Sequence, residues 1–209
     1  MANILYDALF APLASRDDAF LILPDGREIA GRDFLAMIHR AAHALTACGV
    51  APGDRVAVQI AKTPEALAVY GAAVACGAIF LPLNTAYTAD EVDYFVGNAT
   101  PRLLLCDAKA APALSAVATR HGARVETLNA DGGGSFTDLA AGQSDAFTPV
   151  PRDAQDLAAF LYTSGTTGRS KGAMLTQDNL LSNAEVLTDY WRFTSDDVLL
   201  HALPIFHTH

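Results

Sequence analysis

Hydroxyl, glycine and lysine side chains are concentrated between residues 163 and 173, where the chain reads TSGTTGRSKGA directly after an apolar stretch at 157–161. Glycine lets a backbone adopt positive φ and bring its N–H groups close to an anion, while Ser and Thr hydroxyls donate further hydrogen bonds and lysine supplies a positive charge. Each hydrogen bond to a charged group contributes about 1.5–3 kcal/mol, so several of them hold a triphosphate well. These residue types predict a phosphate-binding loop.

The spacing of this loop differs from that of the G-x-x-x-x-G-K-[ST] phosphate loop, which requires glycine before its lysine and a hydroxyl after it. Here Lys171 follows Ser170 and precedes Gly172, which disfavours an ADP-forming ATPase of that class. A hairpin that merely turns the chain would need neither the hydroxyls nor the lysine. Because Thr176 has the position of a helix N-cap, we expect a strand, the loop, a short strand and then a helix.

Histidines are the next residues that could do chemistry. His207 and His209 follow a proline at residue 204, at the kind of strand end where functional loops commonly lie. Residue type alone leaves a structural role open for either of them. His39 and His43 lie one turn apart on a predicted helix, but without a third ligand in view a surface pair is favoured over a metal pair.

The cysteines and histidines together give no metal-binding spacing. Cys48, Cys76 and Cys106 are far apart within apolar runs and form no C-x-x-C pair, so we predict buried free thiols. The histidines show no H-E-x-x-H pattern. We therefore predict no structural metal site.

Helices and strands that would position these residues alternate along the first part of the chain. Two segments with helical periodicity end at Gly49 and Gly77, and glycine commonly ends a helix. Thr63 followed by Pro64 indicates the start of a helix. Strands that alternate with helices imply βαβ units. The sequence therefore predicts an α/β fold with doubly wound, mostly parallel sheets and helices on both faces. The predicted helices cover 31–48, 64–76, 88–98 and 109–120, and the predicted strands cover 56–60, 78–83, 103–106 and 123–128.

A change of composition marks a predicted boundary. Residues 129–156 are rich in Gly, Ser, Asp and Pro, which indicates an irregular connection with at most one short helix, at 136–140. We expect residues 1–145 to form a first α/β subdomain. Residues 146–209 are expected to begin a second subdomain, with a sheet of its own.

The unit that contains the phosphate loop is predicted to end in a helix and a further strand. The helix after Thr176 has apolar residues at helical spacing and is expected to bury them as one stripe. Residues 198–203 are apolar and are expected to form a strand. The stripe consists of Leu180, Ala184, Leu187 and Trp191.

Composition excludes several classes of protein. With 51% hydrophobic and 18% charged residues, a chain of 209 residues can bury a core. A formal charge of −9 without a Lys/Arg cluster argues against nucleic-acid binding. The N-terminus lacks a basic segment followed by a long apolar run, and no window reaches about 18 apolar residues. We expect a globular cytoplasmic protein with neither an export signal nor a membrane span.

Three segments in order resemble one enzyme superfamily. The string YTSGTTGRSKGAM at 162–174 resembles the phosphate-loop signature of adenylate-forming enzymes, which include acyl-CoA synthetases, luciferases and the adenylation domains of peptide synthetases. Residues 71–107 resemble the superfamily's helix, strand and helix ahead of that loop, and LPIFHTH at 203–209 resembles its aromatic and histidine motif behind it. Across all 209 residues the chain resembles malonyl-CoA synthetases, which activate a small dicarboxylate.

The resemblance implies a fold and roles for individual residues. The fold would be the large N-terminal α/β domain of an adenylate-forming enzyme. His207 would lie beside the acyl substrate and the α-phosphate as the candidate catalytic residue, and Lys171 would anchor the loop or the phosphates. Gly168 would also belong to the ATP-binding residues. The residues that would surround the β- and γ-phosphates are Thr163, Ser164, Gly165, Thr166 and Thr167.

The implied activity is that of an ATP-dependent acid–CoA ligase that forms AMP. A carboxylate would attack the α-phosphate to give acyl-AMP and pyrophosphate, and the thiol of coenzyme A would then displace AMP. Mg²⁺ would offset the phosphate charge. Malonate is the favoured acid and methylmalonate is also open. Acetate-like, medium-chain and aryl acids stay open because no clamp for a second carboxylate precedes residue 209.

A second hypothesis is a non-catalytic ATP-binding fragment. The chain ends at His209, inside a motif. By resemblance, the adenine- and Mg²⁺-binding motif, the ribose-binding Asp and the small C-terminal domain with its catalytic Lys would all follow that residue. We therefore expect the 209 residues to be the front part of a longer enzyme, inactive alone. An arginine aimed at a distal carboxylate would also be expected after His209.

Overall fold

The computed structural model describes residues 2–163 and 170–206. The chain begins with α1 (Ile4–Leu9), a short 3₁₀ segment (Ala11–Ser15) and an antiparallel pair, β1 (Ala19–Ile22) with β2 (Glu28–Ala30). Asn3 starts α1, because its side-chain oxygen accepts a hydrogen bond from the backbone N–H of Tyr6 at 3.1 Å.

Helices and strands then alternate as predicted. The first four predicted helices and the first four predicted strands are confirmed to within about two residues at each end, as is the short helix in the 129–156 connection. The elements are α2 (Gly31–Ala47), β3 (Arg55–Gln59), α3 (Pro64–Cys76), β4 (Ile79–Pro82), α4 (Ala89–Ala99), β5 (Leu103–Cys106), α5 (Ala111–Arg120), β6 (Arg124–Thr127), α6 (Ser135–Ala141), β7 (Leu157–Thr163), β8 (Lys171–Thr176) and α7 (Gln177–Tyr190).

Local signals set several of these boundaries. The Thr63 hydroxyl accepts a hydrogen bond from the Ala66 N–H at 3.1 Å and starts α3. Gly77 ends the same helix with φ of 68°, a left-handed conformation that favours glycine. Thr88 and Glu91 form a capping box at the start of α4.

The strands from β3 onward form one sheet in the part of the chain that the structure describes. Its order is β6-β5-β3-β4-β7-β8, with all neighbours parallel except β7 and β8. The predicted doubly wound, mostly parallel α/β fold is therefore confirmed.

The expectation of a second sheet that starts at residue 157 is wrong. Strand β7 pairs with β4 through Phe80 and Ala159 and extends the first sheet. An apolar strand is stabilised wherever both of its faces can be covered, and its pattern does not say which sheet edge will receive it. The division into residues 1–145 and 146–209 as subdomains stays a prediction.

Alternate side chains of the central strands enter apolar clusters on opposite faces of the sheet. Within residues 2–163 and 170–206, Val56 and Val58 of β3 belong to a cluster with α1, α2 and α3, whereas Ala57 belongs to a cluster with α4 and α5. This alternation is the period-2 geometry of a strand. Both faces of the sheet are therefore covered, which explains why β4 and β5 are apolar throughout.

The predicted burial of α7 is only partly correct. Leu180, Ala184 and Leu187 are half-buried, but Trp191 is 58% exposed and follows the end of the helix. The predicted strand at 198–203 is wrong, because that segment has no regular structure and Leu200 is 90% exposed. A strand needs a paired neighbour, and no described segment pairs with it.

The three cysteines are buried free thiols, as predicted. Burial raises the pKa of Cys76 and of Cys106 to about 11, so both stay protonated at neutral pH. Among the described residues, every helix is too short or too polar to cross a membrane. The predicted cytoplasmic location stays a prediction.

Candidate functional site

The predicted phosphate loop connects two strands of the sheet. Strands β7 and β8 pair antiparallel, and their last pair is Thr163 with Lys171. The Thr163 hydroxyl donates to the Lys171 carbonyl at 3.4 Å across the base of this hairpin. The structure therefore places Thr163 and Lys171 side by side. The other predicted loop residues lie outside the described residues; they are Ser164, Gly165, Thr166, Thr167 and Gly168.

The base of the hairpin lies at the carboxyl edge of the sheet. Strand β7 is parallel to β4, and β4 is parallel to β3, so these strands all end on the same edge. In open α/β sheets, ligands bind outside the carboxyl ends of the strands. The position of the hairpin base therefore agrees with the phosphate-binding role that the residue types of the loop predict.

An aromatic cluster supports the strand that enters the loop. The Phe95 ring of α4 lies 4.5 Å from the Tyr162 ring of β7, and Phe160 lies 5.2 Å from Tyr162 between ring centroids. Tyr87 packs on Phe95 at 4.9 Å. Burial, with a smaller effect of Tyr94, raises the pKa of Tyr162 to about 12. The Tyr162 hydroxyl therefore stays protonated and can donate a hydrogen bond.

Gly172 lets β8 pack closely on this cluster. A Cβ atom at Gly172 would lie 2.3 Å from the Phe160 ring, closer than van der Waals contact allows. Gly172 directly follows Lys171. Gly172 therefore allows β8, the strand that begins at Lys171, to approach Phe160 closely.

Two tyrosine hydroxyls connect α4 to the hairpin. The Tyr162 hydroxyl donates to Asn98 Oδ1 at 2.6 Å, and the Tyr94 hydroxyl donates to the Ser170 carbonyl at 3.0 Å. Sequence reasoning missed Tyr94 and Asn98. Their spacing of four residues on one helical face was a signal of a shared surface, but nothing in the sequence says what that surface contacts.

Lys62 connects the second predicted motif to the same edge of the sheet. It lies just beyond the carboxyl end of β3, and its Nζ donates to the carbonyls of His201 and Leu203 at 2.8 and 2.9 Å. His207 and His209 lie outside the described residues. The described segment that leads to His207 is therefore held at the edge where the base of the β7–β8 hairpin lies. Sequence reasoning missed Lys62, although its place directly after a strand end was a usable signal.

An apolar cavity lies between α3, the sheet, α7 and residues 201–205. Its volume is about 260 Å³. Its walls are mainly hydrocarbon and aromatic, with one imidazole. The lining includes Tyr70, Phe80, Leu161, Leu180, His201 and Ile205.

His39 and His43 make structural contacts. The His39 ring lies between the Tyr6 hydroxyl, 2.7 Å from Nε2, and the Asp145 carbonyl, 2.6 Å from Nδ1. His43 Nε2 lies 2.9 Å from the Ala146 carbonyl. A carbonyl oxygen can only accept a hydrogen bond, so each ring donates an N–H there and ties residues 145–146 to α2.

Comparison with known proteins places the chain in a family. Residues 12–209 match the AMP-binding enzyme family. The chain belongs to this family. Among curated relatives, it is 33% identical to a probable CoA ligase, CCL9, of Humulus lupulus and 35% identical to an oxalate–CoA ligase of Arabidopsis thaliana. Each alignment covers 83% of this chain, and 34% and 35% of those proteins respectively.

Solved structures give a closer similarity. MatB from Rhodopseudomonas palustris without ligand matches 100% of this chain and 41% of its own, at 51% identity and a TM-score of 0.96. The ATP-bound form of MatB matches with the same TM-score and 52% identity. The resemblance to acyl-CoA synthetases, and within them to a malonyl-CoA synthetase, is confirmed. The chain spans about a third of the length of these curated relatives and about two fifths of MatB.

Proposed function

We propose that this protein, in its full natural extent, is an AMP-forming acid–CoA ligase that activates malonate, with methylmalonate as a second substrate. The observation that carries the proposal is the similarity of all 209 residues to MatB, a malonyl-CoA synthetase, at 51% identity. The ATP-bound form of MatB has the same fold over this region. The hairpin at the carboxyl edge of the sheet supports the proposal independently, because its position suits a phosphate site.

ATP would be bound through its phosphates by the loop between β7 and β8. Thr163, the hydroxyls and backbone N–H groups of residues 164–168, and Lys171 supply donors and one positive charge. These donors match a triphosphate in chemistry. Mg²⁺ prefers oxygen ligands, and the only side-chain oxygens in residues 163–171 are hydroxyls. We expect carboxylate ligands for Mg²⁺ elsewhere in the protein.

The proposed reaction has two steps. A carboxylate oxygen attacks the α-phosphorus and the bond to pyrophosphate breaks, which gives acyl-AMP. The thiol of coenzyme A then attacks the acyl carbon, AMP leaves, and the thiol proton is released to solvent or base. The loop contributes by fixing the pyrophosphate leaving group, so its effect is geometric and electrostatic.

His207 would act near the reacting groups. It follows the segment 201–203 that Lys62 holds at the carboxyl edge of the sheet. We propose that His207 orients the carboxylate against the α-phosphate, as its place in the LPIFHTH motif implies. His209 is the weaker candidate for this role.

A second candidate substrate class is an acid with an apolar body, such as a medium-chain or aryl acid. The apolar cavity lined by Tyr70, Phe80 and Leu161 favours it. Malonate would instead need a cation for its second carboxylate. We propose that this cation is an arginine outside the 209 residues, and that these residues alone bind nucleotide without completing catalysis.

Exchange of labelled pyrophosphate into ATP tests the proposal. The full natural protein and the 209-residue chain are assayed with malonate, acetate, hexanoate and benzoate. Exchange by the full protein with malonate preferred, and none by the chain alone, would support a malonate-activating ligase. Preference for hexanoate or benzoate would contradict malonate as the substrate and would support an acid with an apolar body. Absence of exchange with every acid, or formation of ADP, would contradict adenylation.

A further inference from the structure

Helix α4 contacts the phosphate-loop hairpin on both sides of the loop. Tyr162 precedes the loop and donates its hydroxyl to Asn98 of α4. Ser170 follows the loop, and its carbonyl accepts the hydroxyl of Tyr94 from the same helix. We propose that Tyr94 is a positioning residue for ATP binding, which fixes the strand that leaves the loop so that Lys171 meets the phosphates in one arrangement. This role depends on the proposed binding of ATP by the loop.

The Tyr94 contact holds a part of the backbone that the sheet does not hold. The β7–β8 ladder ends at the pair Thr163 and Lys171, and Ser170 lies one residue beyond it. The Tyr94 hydroxyl reaches the Ser170 carbonyl at 3.0 Å. A backbone segment outside a ladder keeps its position only through contacts of this kind. Tyr94 therefore extends the ordered base of the hairpin by one residue toward the loop.

Helix α4 is a firm support for this contact. Its N-terminus is closed by the Thr88 and Glu91 capping box, and Val92 and Val96 are fully buried. Tyr94 and Asn98 are four residues apart and share one helical face. The two sides of the loop are therefore held by one rigid surface, which keeps the distance between them constant.

Tyrosine suits the task for physical reasons. It has two side-chain torsions, so a tyrosine contact costs little conformational entropy compared with a longer side chain. The Tyr94 ring lies 5.4 Å from Phe95 and 6.4 Å from Tyr162 between centroids, which limits its orientations. Tyr94 is also 38% exposed and is not among the buried residues of either apolar cluster. Removal of the hydroxyl should then affect the hairpin more than global stability.

The deciding variant is Tyr94→Phe, which deletes only the hydroxyl. The matched control is Tyr190→Phe on α7, where the ring is 79% exposed. In the full natural protein, we expect Tyr94→Phe to weaken ATP binding, measured by calorimetry, about two- to tenfold because one hydrogen bond is lost. The melting temperature and the KM for the carboxylate should match those of the control.

Amide hydrogen exchange gives a second readout that needs no enzymatic activity. Peptides that cover residues 170–176 should exchange faster in Tyr94→Phe than in the wild type, whereas Tyr190→Phe should leave them unchanged. Faster exchange only in Tyr94→Phe would support the positioning role, because the reporting amides lie at the hairpin and not on α4.

Three outcomes separate the possibilities. Unchanged ATP affinity together with unchanged exchange at residues 170–176 would overturn the role of Tyr94. A lower melting temperature with equal losses for ATP and carboxylate would also overturn it, since it would show a general stabilising residue. Failure of the wild type to bind ATP would contradict the proposed function. The role of Tyr94 in ATP binding would then fall as well. The hydrogen-exchange data would decide only whether Tyr94 fixes the hairpin.

Discussion

At the scale of single residues, Lys62 is the side chain that joins distant parts of the site. Its Nζ donates to the carbonyls of His201 and Leu203, about 140 residues along the chain. Because Lys62 is exposed, Lys62→Met should lower the free energy of unfolding by less than about 1 kcal/mol. Pyrophosphate exchange should fall about tenfold, since the segment before His207 loses its anchor.

The assay for Lys62 needs a matched control. Lys109→Met removes another exposed lysine that follows a strand, β5. Lys62→Arg retains a charged donor and should restore part of the exchange rate. Equal rates for Lys62→Met and Lys109→Met would show that the contact has no functional role.

Near the loop, Gly172 lies where a side chain would collide with a neighbouring ring. In Gly172→Ala the new methyl group would meet the Phe160 ring at 2.3 Å, so the ring or the strand must move. We expect a loss of about 1–3 kcal/mol in the free energy of unfolding, measured by urea denaturation. Gly142→Ala is the control, because a Cβ at Gly142 meets nothing within 4 Å. Adding Phe160→Leu should restore part of the loss, and a neutral Gly172→Ala would disprove the close contact.

At the scale of secondary-structure elements, we predict that the start of α4 responds to pH. The backbone N–H of Thr88, and then its hydroxyl, donate to the Glu91 carboxylate and lower its pKa from the ordinary value of a glutamate. A lowered folded-state pKa stabilises the folded protein fully above the unfolded value, and this stabilisation is lost as pH falls through the folded value. The capping box should therefore weaken in acid.

Glu91→Ala tests the pH dependence of the capping box. At neutral pH the variant should be less stable than the wild type in urea denaturation, and the difference should shrink as pH falls below 4.5. Glu185→Ala, at an exposed position on α7, should show no such dependence. A difference between Glu91→Ala and the wild type that is constant with pH would mean that the ionised carboxylate is not what stabilises α4.

At the scale of the whole molecule, the covered sheet and the segment after α7 differ in burial. Leu104 is fully buried in the cluster with α4 and α5, whereas Leu200 is 90% exposed. In the 209-residue chain, Leu104→Ala should lower the free energy of unfolding by about 2–5 kcal/mol, and Leu200→Ala should change it by less than about 0.5 kcal/mol. Urea denaturation measures both. A large loss in Leu200→Ala would show that the segment at 198–203 is packed.

Short-range signals in the sequence were sufficient for most elements after residue 30, but they did not predict α1, β1 or β2. Thr63, Gly77 and Thr88 act on backbone groups within four residues, so their effects can be read without knowledge of the fold. The alternation of helices with apolar strands likewise predicted a parallel sheet covered on both faces. The phosphate-binding role of residues 163–171 was predicted from composition, because anion binding requires donors and glycines whatever surrounds them, and it stays a prediction.

Only the tertiary structure decided which elements and side chains meet. It joined β7 to β4 where the sequence predicted a new sheet, and left the segment at 198–203 without a paired strand among the described residues. It also brought Tyr94 to Ser170 and Lys62 to the carbonyls before His207. Such contacts depend on which strand edges and helix faces are free once the core has formed. A local pattern of apolar and polar residues is the same for every possible partner, so it cannot choose among them.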